Sequence, residues 1–485
     1  MGRAAAALAL GLLAACQHVP PAPISAERGA EALDSRSLAD PALRDFMASA
    51  LERPLPSSAS ERAVQPSALE RAVQNWPLRR WDLDSLTLAA LFHQPSLAVV
   101  RAQWQVARGG IESASARPNP TLLLTPERSF NPGSAVSPWL AAVQLDWPIE
   151  TAGKRGHRIA RAQALESAAR RELSVEAWRV RRALRDALIE LAAARERSAA
   201  LAALCSAERE LGAGLAQRLR AGAASELELT PMRLALLRSE TELGDAERRR
   251  LGALARVAAA IGVPVHALEE VEIDFSLGAG GDPLTGVSES EARRRALLER
   301  ADVLAALDAY SANEAALRLE LARQYPDLHL GPGYQYDQGQ NKWALGLWLE
   351  LPLMNRNEGP IAEASAARGE AAARFTALQA QVIAELEQAL AQRRGAREQV
   401  ARVEALAALQ ERQLARARFA LELGAIDRPA QLAAEVERQS GQLALVDARQ
   451  ALEQSLAALE AALQGPLVAP DALERPGRLA AQAAP

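Results

Sequence analysis

The stretch Trp139-Leu-Ala-Ala-Val-Gln-Leu-Asp-Trp-Pro148 places apolar side chains at every second position, with tryptophan at both ends of the apolar series. A period of two residues predicts a β-strand with one apolar face. Gln144 and Asp146 fall on the opposite, polar face. Strands of about ten residues with an apolar face bounded by aromatic side chains are typical of a transmembrane barrel wall. The alternative is a small amphipathic sheet packed on helices in a soluble domain.

The same pattern recurs 204 positions later, in Trp343-Ala-Leu-Gly-Leu-Trp-Leu-Glu-Leu-Pro352, where Glu350 takes the place of Asp146. Upstream, residues 95–122 align with residues 301–328 at an offset of 206 and without a gap. Downstream, residues 220–222 align with residues 422–424 at an offset of 202. One unit of about 200 residues therefore occurs twice, which is an internal duplication.

Each copy is predicted to contain a helix, a β-hairpin and a long helical hairpin, in that order. The first repeat spans 81–280, with its β-hairpin at 119–148 and its helical hairpin at 157–262. The second repeat spans 281–466, with the corresponding hairpins at 326–352 and 359–464. No proline interrupts 157–220 or 361–423, so either helix would run roughly 95 Å. Apolar residues spaced by three, four and seven on the returning helices predict coiled-coil-like packing.

The composition predicts a mainly α fold with a small β part. Aromatic residues make up 4% of the 485 residues, and charged residues of both signs make up 24% and sum to a formal charge of −4. This mixture favours long helices and provides no basic face for nucleic acid. Four strands cannot close a barrel, and lipid does not tolerate an open sheet edge. Several copies of the chain must therefore pool their strands into a transmembrane barrel, and three copies would give twelve strands.

The N-terminus predicts export. Arg3 precedes an apolar run from residue 4 to 13 that is too short to span a bilayer, so residues 1–15 are predicted to be a signal peptide. Leu13-Ala-Ala-Cys16 resembles the lipobox of bacterial lipoproteins, which implies that Cys16 is lipidated; the following Gln17 implies sorting to the outer membrane. The alternative is an ordinary secretory signal in which Cys16 is incidental. No later segment has about 18 uncharged apolar residues in a row, so any crossing of a membrane must use strands.

Less regular segments flank the two repeats. Residues 16–80 contain several prolines and are predicted to form an extended arm with one short helix at 40–51. Residues 467–485, rich in alanine, glutamine and proline, are predicted to be disordered. Cys205 lies in a helical context and is expected to be a small buried side chain.

Residues 322–330, Ala-Arg-Gln-Tyr-Pro-Asp-Leu-His-Leu, and the segment Arg300-Ala-Asp-Val-Leu304 carry a family resemblance. Over residues 80–465 the chain resembles the TolC-like outer-membrane factors of tripartite efflux pumps, with Ala301 in place of the proline of the family's R-P-D-L segment. The resemblance implies a trimer with a twelve-stranded barrel in the outer membrane and a helical tunnel in the periplasm. It also implies two partners, a periplasmic adaptor (membrane fusion) protein and an inner-membrane transporter of the RND or a similar type.

The segment Ile149-Glu-Thr-Ala-Gly-Lys-Arg-Gly-His-Arg158 points to one branch of that family. It looks like the E-x-x-G-K-R segment common in outer-membrane components of heavy-metal and cation efflux systems, and residues 82–91 and 116–120 share that likeness. Metal cations are therefore the expected cargo. A duct for drugs and other organic compounds, or for type I secretion, remains open. A periplasmic coiled-coil structural lipoprotein is the alternative of a different class.

The two predicted helix-to-helix turns are the candidate aperture and adaptor contacts. The resemblance implies that they lie at the periplasmic tips, where the tunnel closes, and it makes Asp427 and Arg428 the gate candidates. The local interpretation is helix capping, by glycines that end one helix and by Ser225 and Asp427 that begin the next. The candidate tip residues are Gly222, Ser225, Glu226, Gly424, Asp427 and Arg428.

Asp146 and Glu350 are predicted to line the lumen near its periplasmic side. In a trimer they would form a ring of six carboxylates, which could favour cations as charged rings do in other pores. The alternative is that both side chains are merely solvated.

Nothing in the sequence predicts an enzyme or a bound cofactor. His93, His157, His266 and His329 lack metal-ligand spacing to another histidine or a cysteine. No nucleophile and base arrangement is recognisable. The Gly153-Lys-Arg-Gly156 segment lacks the features of a phosphate loop and is expected instead to turn the chain from barrel to tunnel, with its basic pair at the membrane rim. We expect no catalysis, no cofactor and no tight metal site.

Overall fold

The computed structural model describes residues 20–51, 76–130, 137–278 and 288–465. The predicted signal peptide at 1–15, the predicted lipidation site Cys16 and the tail at 467–485 lie outside the described residues. Of the arm predicted at 16–80, residues 20–51 and 76–80 are described.

Long helices and a few short strands make up the described chain. In chain order the helices are α1 (Ala26–Asp34), α2 (Pro41–Leu51), α3 (Leu83–His93), α4 (Pro95–Ser115), α5 (Lys154–Arg220), α6 (Glu226–Ile261), α7 (Glu289–Leu298), α8 (Ala301–Ala322), α9 (Glu358–Glu422) and α10 (Arg428–Leu463). The strands are β1 (Arg80–Trp81), β2 (Thr121–Arg128), β3 (Trp139–Ile149), β4 (Glu272–Ile273), β5 (Leu328–Asp337) and β6 (Gln340–Leu349). The predicted fold class, mainly α with a small β part, is confirmed.

The arm contains one more helix than predicted. Besides α2 it forms α1, which begins after Ser25, where the N–H of Arg28 donates to the Ser25 hydroxyl at 3.4 Å. Arg36 follows α1 and donates to the main-chain oxygens of His93 and Gly262, at 2.5 and 2.9 Å. These contacts fasten the arm to the ends of α3 and α6, so this part of it is folded rather than extended.

Four antiparallel strands form one sheet in the order β2-β3-β5-β6. Both hairpins pair in the same register: Leu122 lies opposite Leu145 in the first, and their repeat counterparts Leu328 and Leu349 lie opposite each other in the second. The duplication therefore extends from sequence to strand register. Between the hairpins, β3 pairs with β5, which joins the two repeats. Strands β1 and β4 form a separate parallel ladder.

One face of the sheet is apolar and uncovered. The predicted alternative, in which this face packs on helices, is not observed, because seven of its large side chains remain more than half exposed. A patch of this size and composition marks a surface that meets something other than water. Its members are Leu122, Leu124, Trp139, Trp147, Trp343, Leu345 and Leu347.

A very long helix follows each of the two β-hairpins. Helix α5 has 67 residues and α9 has 65, which correspond to roughly 100 Å each. Helix α5 begins three residues before its predicted start at 157, because Gly153 adopts a left-handed conformation, with φ of 72°, and turns the chain directly into the helix. Asn357, its repeat counterpart, does the same before α9, with φ of 63°. The returning helices α6 and α10 have 36 residues each.

A buried group of charges, the Arg181 cluster, joins the two repeats midway along the helices. Its members are Asp84, Thr87, Arg181, Arg185, Glu453 and Glu460. Arg181 is only 2% exposed; it donates to Glu460 at 2.7 Å, to Thr87 at 3.0 Å and to Asp84 at 3.2 Å. Burial alone would lower the pKa of Arg181, but Glu460 and Asp84 outweigh burial and raise it above its ordinary value. The guanidinium therefore stays charged and connects α3, α5 and α10.

Replacing Arg181 by alanine is expected to lower the free energy of unfolding by about 3 kcal/mol, because it leaves buried carboxylates without a cation. The measurement is urea unfolding of the detergent-solubilised protein, followed by far-UV circular dichroism. Arg248→Ala is the matched control, since its contact with Asp245 is an exposed pair within one helix turn and is expected to cost about 0.5 kcal/mol or less. Equal effects of the two substitutions would contradict a structural role for the Arg181 cluster.

Candidate functional site

The polar face of the sheet carries a cluster formed by Asp146, His329 and Trp348. A hydrogen bond of 2.9 Å joins Oδ1 of Asp146 to Nδ1 of His329. The His329 ring stacks on Trp348, with centroids 5.7 Å apart and planes inclined by 18°. Trp348 lies across Gly331, where an added Cβ would come within 2.1 Å of the indole Cζ3 atom. Glycine at 331 therefore makes room for the indole on this face.

Asp146 and Glu350 occupy matching positions in the repeats but have different surroundings. Strand β6 ends at Leu349, so Glu350 lies just beyond it, whereas Asp146 lies within β3. The repeat counterpart of His329 is Leu123, which cannot bind a carboxylate. The two carboxylates therefore have different neighbours within one chain, and the ring of six carboxylates stays a prediction. Sequence reasoning missed His329 and Trp348, although strand alternation places both on the same face as Asp146.

The segment from Glu150 to Arg158 forms the joint between sheet and helices. Arg158 pairs with the carboxylate of Glu150 and also donates to the main-chain oxygen of Ala116 at 3.2 Å. Arg155 donates to the main-chain oxygen of Ser115 at 2.7 Å. These arginines thus bind carbonyl groups at the C-terminal end of α4, where cations are favourable. The segment turns the chain from the sheet into α5. The charged side chains of Arg155 and Arg158 hold this turn in place through the contacts just described.

Lys154 completes this joint from the other side. Its ammonium group donates to the main-chain oxygen of Tyr325 at 2.7 Å and to Asp327 at 2.8 Å, and its side chain is only 10% exposed. The N–H of Thr151 also donates to Asp327, at 2.8 Å. Burial alone would raise the pKa of Asp327, but Lys154 and the Thr151 N–H hold it below its ordinary value. Lys154 is therefore buried against the beginning of β5.

The first tip (residues 221–225) and the second tip (residues 423–427) close the two helical hairpins. Gly222 and Gly424 both take φ of 71°, a left-handed conformation that glycine adopts without strain. Ser225 forms a capping box with Glu228. Asp427 caps α10 by accepting from the N–H of Ala430 at 3.0 Å. The capping interactions considered from the sequence are therefore present at both tips.

Ion pairs also link the hairpins to each other at the tips. Arg218, on α5, donates to the second carboxylate oxygen of Asp427 at 2.6 Å. Arg428 lies 3.5 Å from Glu210, again between α10 and α5. Glu226 instead faces Arg233 of its own helix, at 3.7 Å. The two gate candidates therefore connect the repeats, and Arg218 is the partner that sequence reasoning missed.

A cavity of about 520 Å³ lies between the same helices, lined by polar side chains that include Glu210, Arg428 and Glu435. Arg418 and Arg438 donate to Glu435 at 3.0 and 2.8 Å. Burial alone would raise the pKa of Glu435, but these two cations hold it below its ordinary value. The region above the tips is thus a charged, accessible recess between the two repeats.

Neither a clustered metal site nor a membrane-spanning helix occurs in the described ranges. Within them no three His, Cys, Asp or Glu side chains are grouped so that they could hold a metal ion. None of the described helices combines the length and the apolar character needed to span a membrane. Cys205 is buried, and burial raises the pKa of its thiol.

Residues 86–263 match the model of a family described as outer membrane efflux protein. The cobalt-zinc-cadmium resistance protein CzcC of Cupriavidus metallidurans is 25% identical over 272 residues, which cover 55% of this chain and 62% of that protein. The alignment thus spans less than two thirds of this curated relative.

Solved structures share the fold. The outer-membrane channel OprN matches with a TM-score of 0.67 at 19% identity, over 79% of this chain and 90% of that chain. The outer membrane protein VceC from Vibrio cholerae matches with a TM-score of 0.65 at 22% identity, over 80% of this chain and 97% of that chain. At these identities the likeness establishes the fold alone. Together with the family model, it confirms the resemblance to TolC-like outer-membrane factors.

Gly331→Ala is expected to destabilise the protein by about 1–3 kcal/mol, because the new methyl group would occupy the space of the Trp348 indole. In a Trp348→Ala background the same change is expected to cost less, so a double-mutant cycle will show coupling. Gly333→Ala is the control on the same strand, since a Cβ there would meet its nearest atom at 3.6 Å. Thermal unfolding in detergent measures the stability of the unchanged protein, the three variants of the cycle and the Gly333→Ala control. Additive effects of the substitutions at 331 and 348 would refute the contact.

The joint at Asp327 is expected to weaken in acid. Because the folded pKa of Asp327 lies below that of an unfolded aspartate, about 3.9, its contribution is present above that value and is lost as the pH falls through the folded pKa. Unfolding free energies measured between neutral and acid pH should therefore fall less for Asp327→Asn than for the unchanged protein. Lys154→Met should show the same smaller decline. An unchanged pH profile in Asp327→Asn would contradict the expectation.

Proposed function

We propose that this chain is one subunit of a homotrimeric outer-membrane duct that passively exports substrates received from an inner-membrane pump. The observation that carries the proposal is the sheet, whose uncovered apolar face is bordered by tryptophan. Its four strands are connected to two helical hairpins, each roughly 100 Å long. Pooled from three copies, such strands would close a twelve-stranded barrel with that face toward lipid. The helices would then form a tunnel in the periplasm.

The anchoring and partner assignments extend this proposal. Lipid attached to Cys16 would hold the mature N-terminus at the outer membrane. The tips, with Gly222, Ser225 and Glu226 in one and Gly424 in the other, would meet a periplasmic adaptor (membrane fusion) protein, and through it a transporter of the RND or a similar type. The charged recess beside the tips supports a partner contact there, because it is accessible and lies between the two repeats.

Metal cations are the proposed cargo. Support comes from the 25% identity to a protein named for cobalt, zinc and cadmium resistance. It also comes from the carboxylates at the polar face of the sheet. Asp146 lies on this face within β3, and Glu350 lies just beyond the end of β6. A passive duct needs no tight metal site, since binding has to be weak enough to release the ion. A duct for organic compounds or for type I secretion would share the architecture.

A periplasmic structural lipoprotein is the competing function of another class. Such a spacer would use the long helical hairpins but has no need for a sheet with an exposed apolar face. The exposed tryptophans at both ends of β3 favour the duct.

Growth of a deletion strain tests the cargo. We expect the strain to become sensitive to zinc, cadmium or cobalt while its tolerance of dyes, detergents and antibiotics stays unchanged, because the duct would serve a cation pump. Complementation with the intact gene is the control. Sensitivity to organic compounds alone would refute metal cations as the cargo but would remain consistent with an outer-membrane duct.

Conductance in planar bilayers tests the tips. Asp427→Ser with Arg428→Gln is expected to raise the conductance several-fold, because it removes the two ion pairs that link the hairpins at the tips, Arg218–Asp427 and Glu210–Arg428, while serine still caps α10. Arg209→Gln with Glu240→Gln is the matched control, since that pair lies within the first hairpin at 2.8 Å. Equal conductance of the tip variant and the unchanged protein would remove Asp427 and Arg428 as gate residues.

A further inference from the structure

The two ring nitrogens of His329 have different surroundings. Nδ1 lies 2.9 Å from Oδ1 of Asp146. An ionised carboxylate only accepts hydrogen bonds, so the proton of the neutral imidazole lies on Nδ1 and the lone pair lies on Nε2. Asp146 is the one hydrogen-bond partner that the described residues give this ring. Nε2 therefore has no partner among them and keeps its lone pair for a ligand.

Neighbours on two sides hold the His329 ring in one orientation. Asp146 binds its edge, and Trp348, directly opposite His329 in the β5–β6 pair, stacks on its face. The indole itself lies across two glycines, Gly331 and Gly346, where an added Cβ would come within 2.1 and 3.3 Å of Cζ3. A ligand whose orientation is fixed before binding loses little side-chain freedom when it binds.

Exposure distinguishes His329 from His93. The side chain of His93 is buried, and its Nε2 atom is enclosed without a partner, so no hydrated ion reaches it. The side chains of His329 and Asp146 are instead 31% and 34% exposed. Asp146 pairs with this histidine rather than with a lysine or arginine, so no permanent cation of that contact cancels its charge. The pair is therefore accessible and attractive to a cation.

The ligand chemistry of this pair selects among divalent cations. Imidazole nitrogen suits zinc, cobalt, nickel and copper, whereas magnesium and calcium prefer oxygen. A carboxylate on the other ring nitrogen fixes the tautomer and raises the basicity of the ligand, as is common behind metal-binding histidines. Within the described residues no third ligand side chain completes the group, so water would fill the other coordination positions. Such a contact is weak, as a path for moving ions requires.

We propose that Nε2 of His329, oriented by Asp146, is a weak ligand for zinc, cobalt, nickel or copper ions on the polar face of the sheet. The inference rests on the proposed function, in which this face lines the lumen of a duct for metal cations. Each chain would supply one such histidine, because the repeat counterpart of His329 is Leu123. The site would give the lumen a preference for nitrogen-binding cations over magnesium, which carboxylates alone do not provide.

A purely structural bond between β3 and β5 is the competing interpretation of the Asp146–His329 contact. The main-chain ladder already joins these strands on both sides of the contact, with Gln144 opposite Gly333 and residue 147 opposite residue 330. The side-chain bond is therefore not needed to hold the strands together. A structural bond would also leave the reactivity of Nε2 unchanged when zinc is added, which separates the two interpretations.

Protection from chemical modification tests the site in the full-length protein in detergent. Diethyl pyrocarbonate acylates the unprotonated nitrogen of imidazole, and mass spectrometry reports the modification rate of each histidine separately. Zinc chloride is expected to slow the modification of His329 several-fold. His266, an exposed histidine outside the sheet, is the internal control and should be slowed much less. Magnesium chloride at the same concentration should leave both rates unchanged, because magnesium prefers oxygen ligands.

Two variants test the orienting role of Asp146. Asp146→Ala is expected to raise the zinc concentration that gives half-maximal protection of His329 by about ten-fold or more, since losing a carboxylate behind a metal-binding histidine typically has such an effect. Gln144→Ala is the matched control, on the same strand and the same face, and should leave that concentration unchanged. Comparing rates with and without zinc within each variant removes any change in the intrinsic reactivity of His329.

The outcomes separate this site from the proposed function. Zinc-specific protection of His329 that depends on Asp146 would support the inference. Equal protection of His329 and His266, equal effects of zinc and magnesium, or protection that survives Asp146→Ala would overturn it. Any of these three results in a trimer from outer-membrane fractions would refute the site and leave the duct. A monomer that fractionates away from the membrane would refute the duct, and with it a ligand in the lumen.

Discussion

Main-chain hydrogen bonding at the edges of the sheet constrains the whole molecule. The four strands pair with one another, but β2 and β6 each keep one side with which no strand of the described residues pairs. In hydrocarbon, each such group costs several kcal/mol. The apolar face cannot remain in water and the edges cannot remain in lipid, so a single chain does not satisfy its own sheet. The proposed trimer would resolve this conflict by pairing the edges while the apolar face meets lipid.

The two repeats share their backbone geometry but differ in the side chains at matching positions. Gly153 and Asn357 begin the two long helices with the same left-handed turn, and the two β-hairpins keep one register. Other counterparts have diverged. Lys154 is bound by Asp327 within the chain, whereas its counterpart in the second repeat is Glu358. His329 lies beside Asp146, whereas its counterpart in the first repeat, position 123, is not a histidine. The two repeats therefore make different side-chain contacts on the same backbone geometry.

Periodicity in the sequence predicted the elements well, because it reports which face of each element is apolar. The alternation around Trp139 and Trp343 located β3 and β6, and the absence of proline located α5 and α9. Contacts between distant residues carry no such signal. Arg181 meets Glu460 across 279 positions, and Arg218 meets Asp427 across 209. Neither pair belongs to a local motif, and the helix α1 was missed because its anchoring by Arg36 depends on carbonyl groups of α3 and α6.

The Arg181 cluster has a mechanical consequence for the tips. It holds α5 to α3 and α10 at one buried point, and beyond it Ile189, Leu201 and Leu204 of α5 are buried in further apolar contacts with neighbouring helices. From Arg181 to the end of α5 at Arg220 the helix extends roughly 60 Å. Tilting α5 at the cluster would therefore also have to break this apolar packing. Two kinds of buried contact along one helix thus stiffen the hairpins between the Arg181 cluster and the tips.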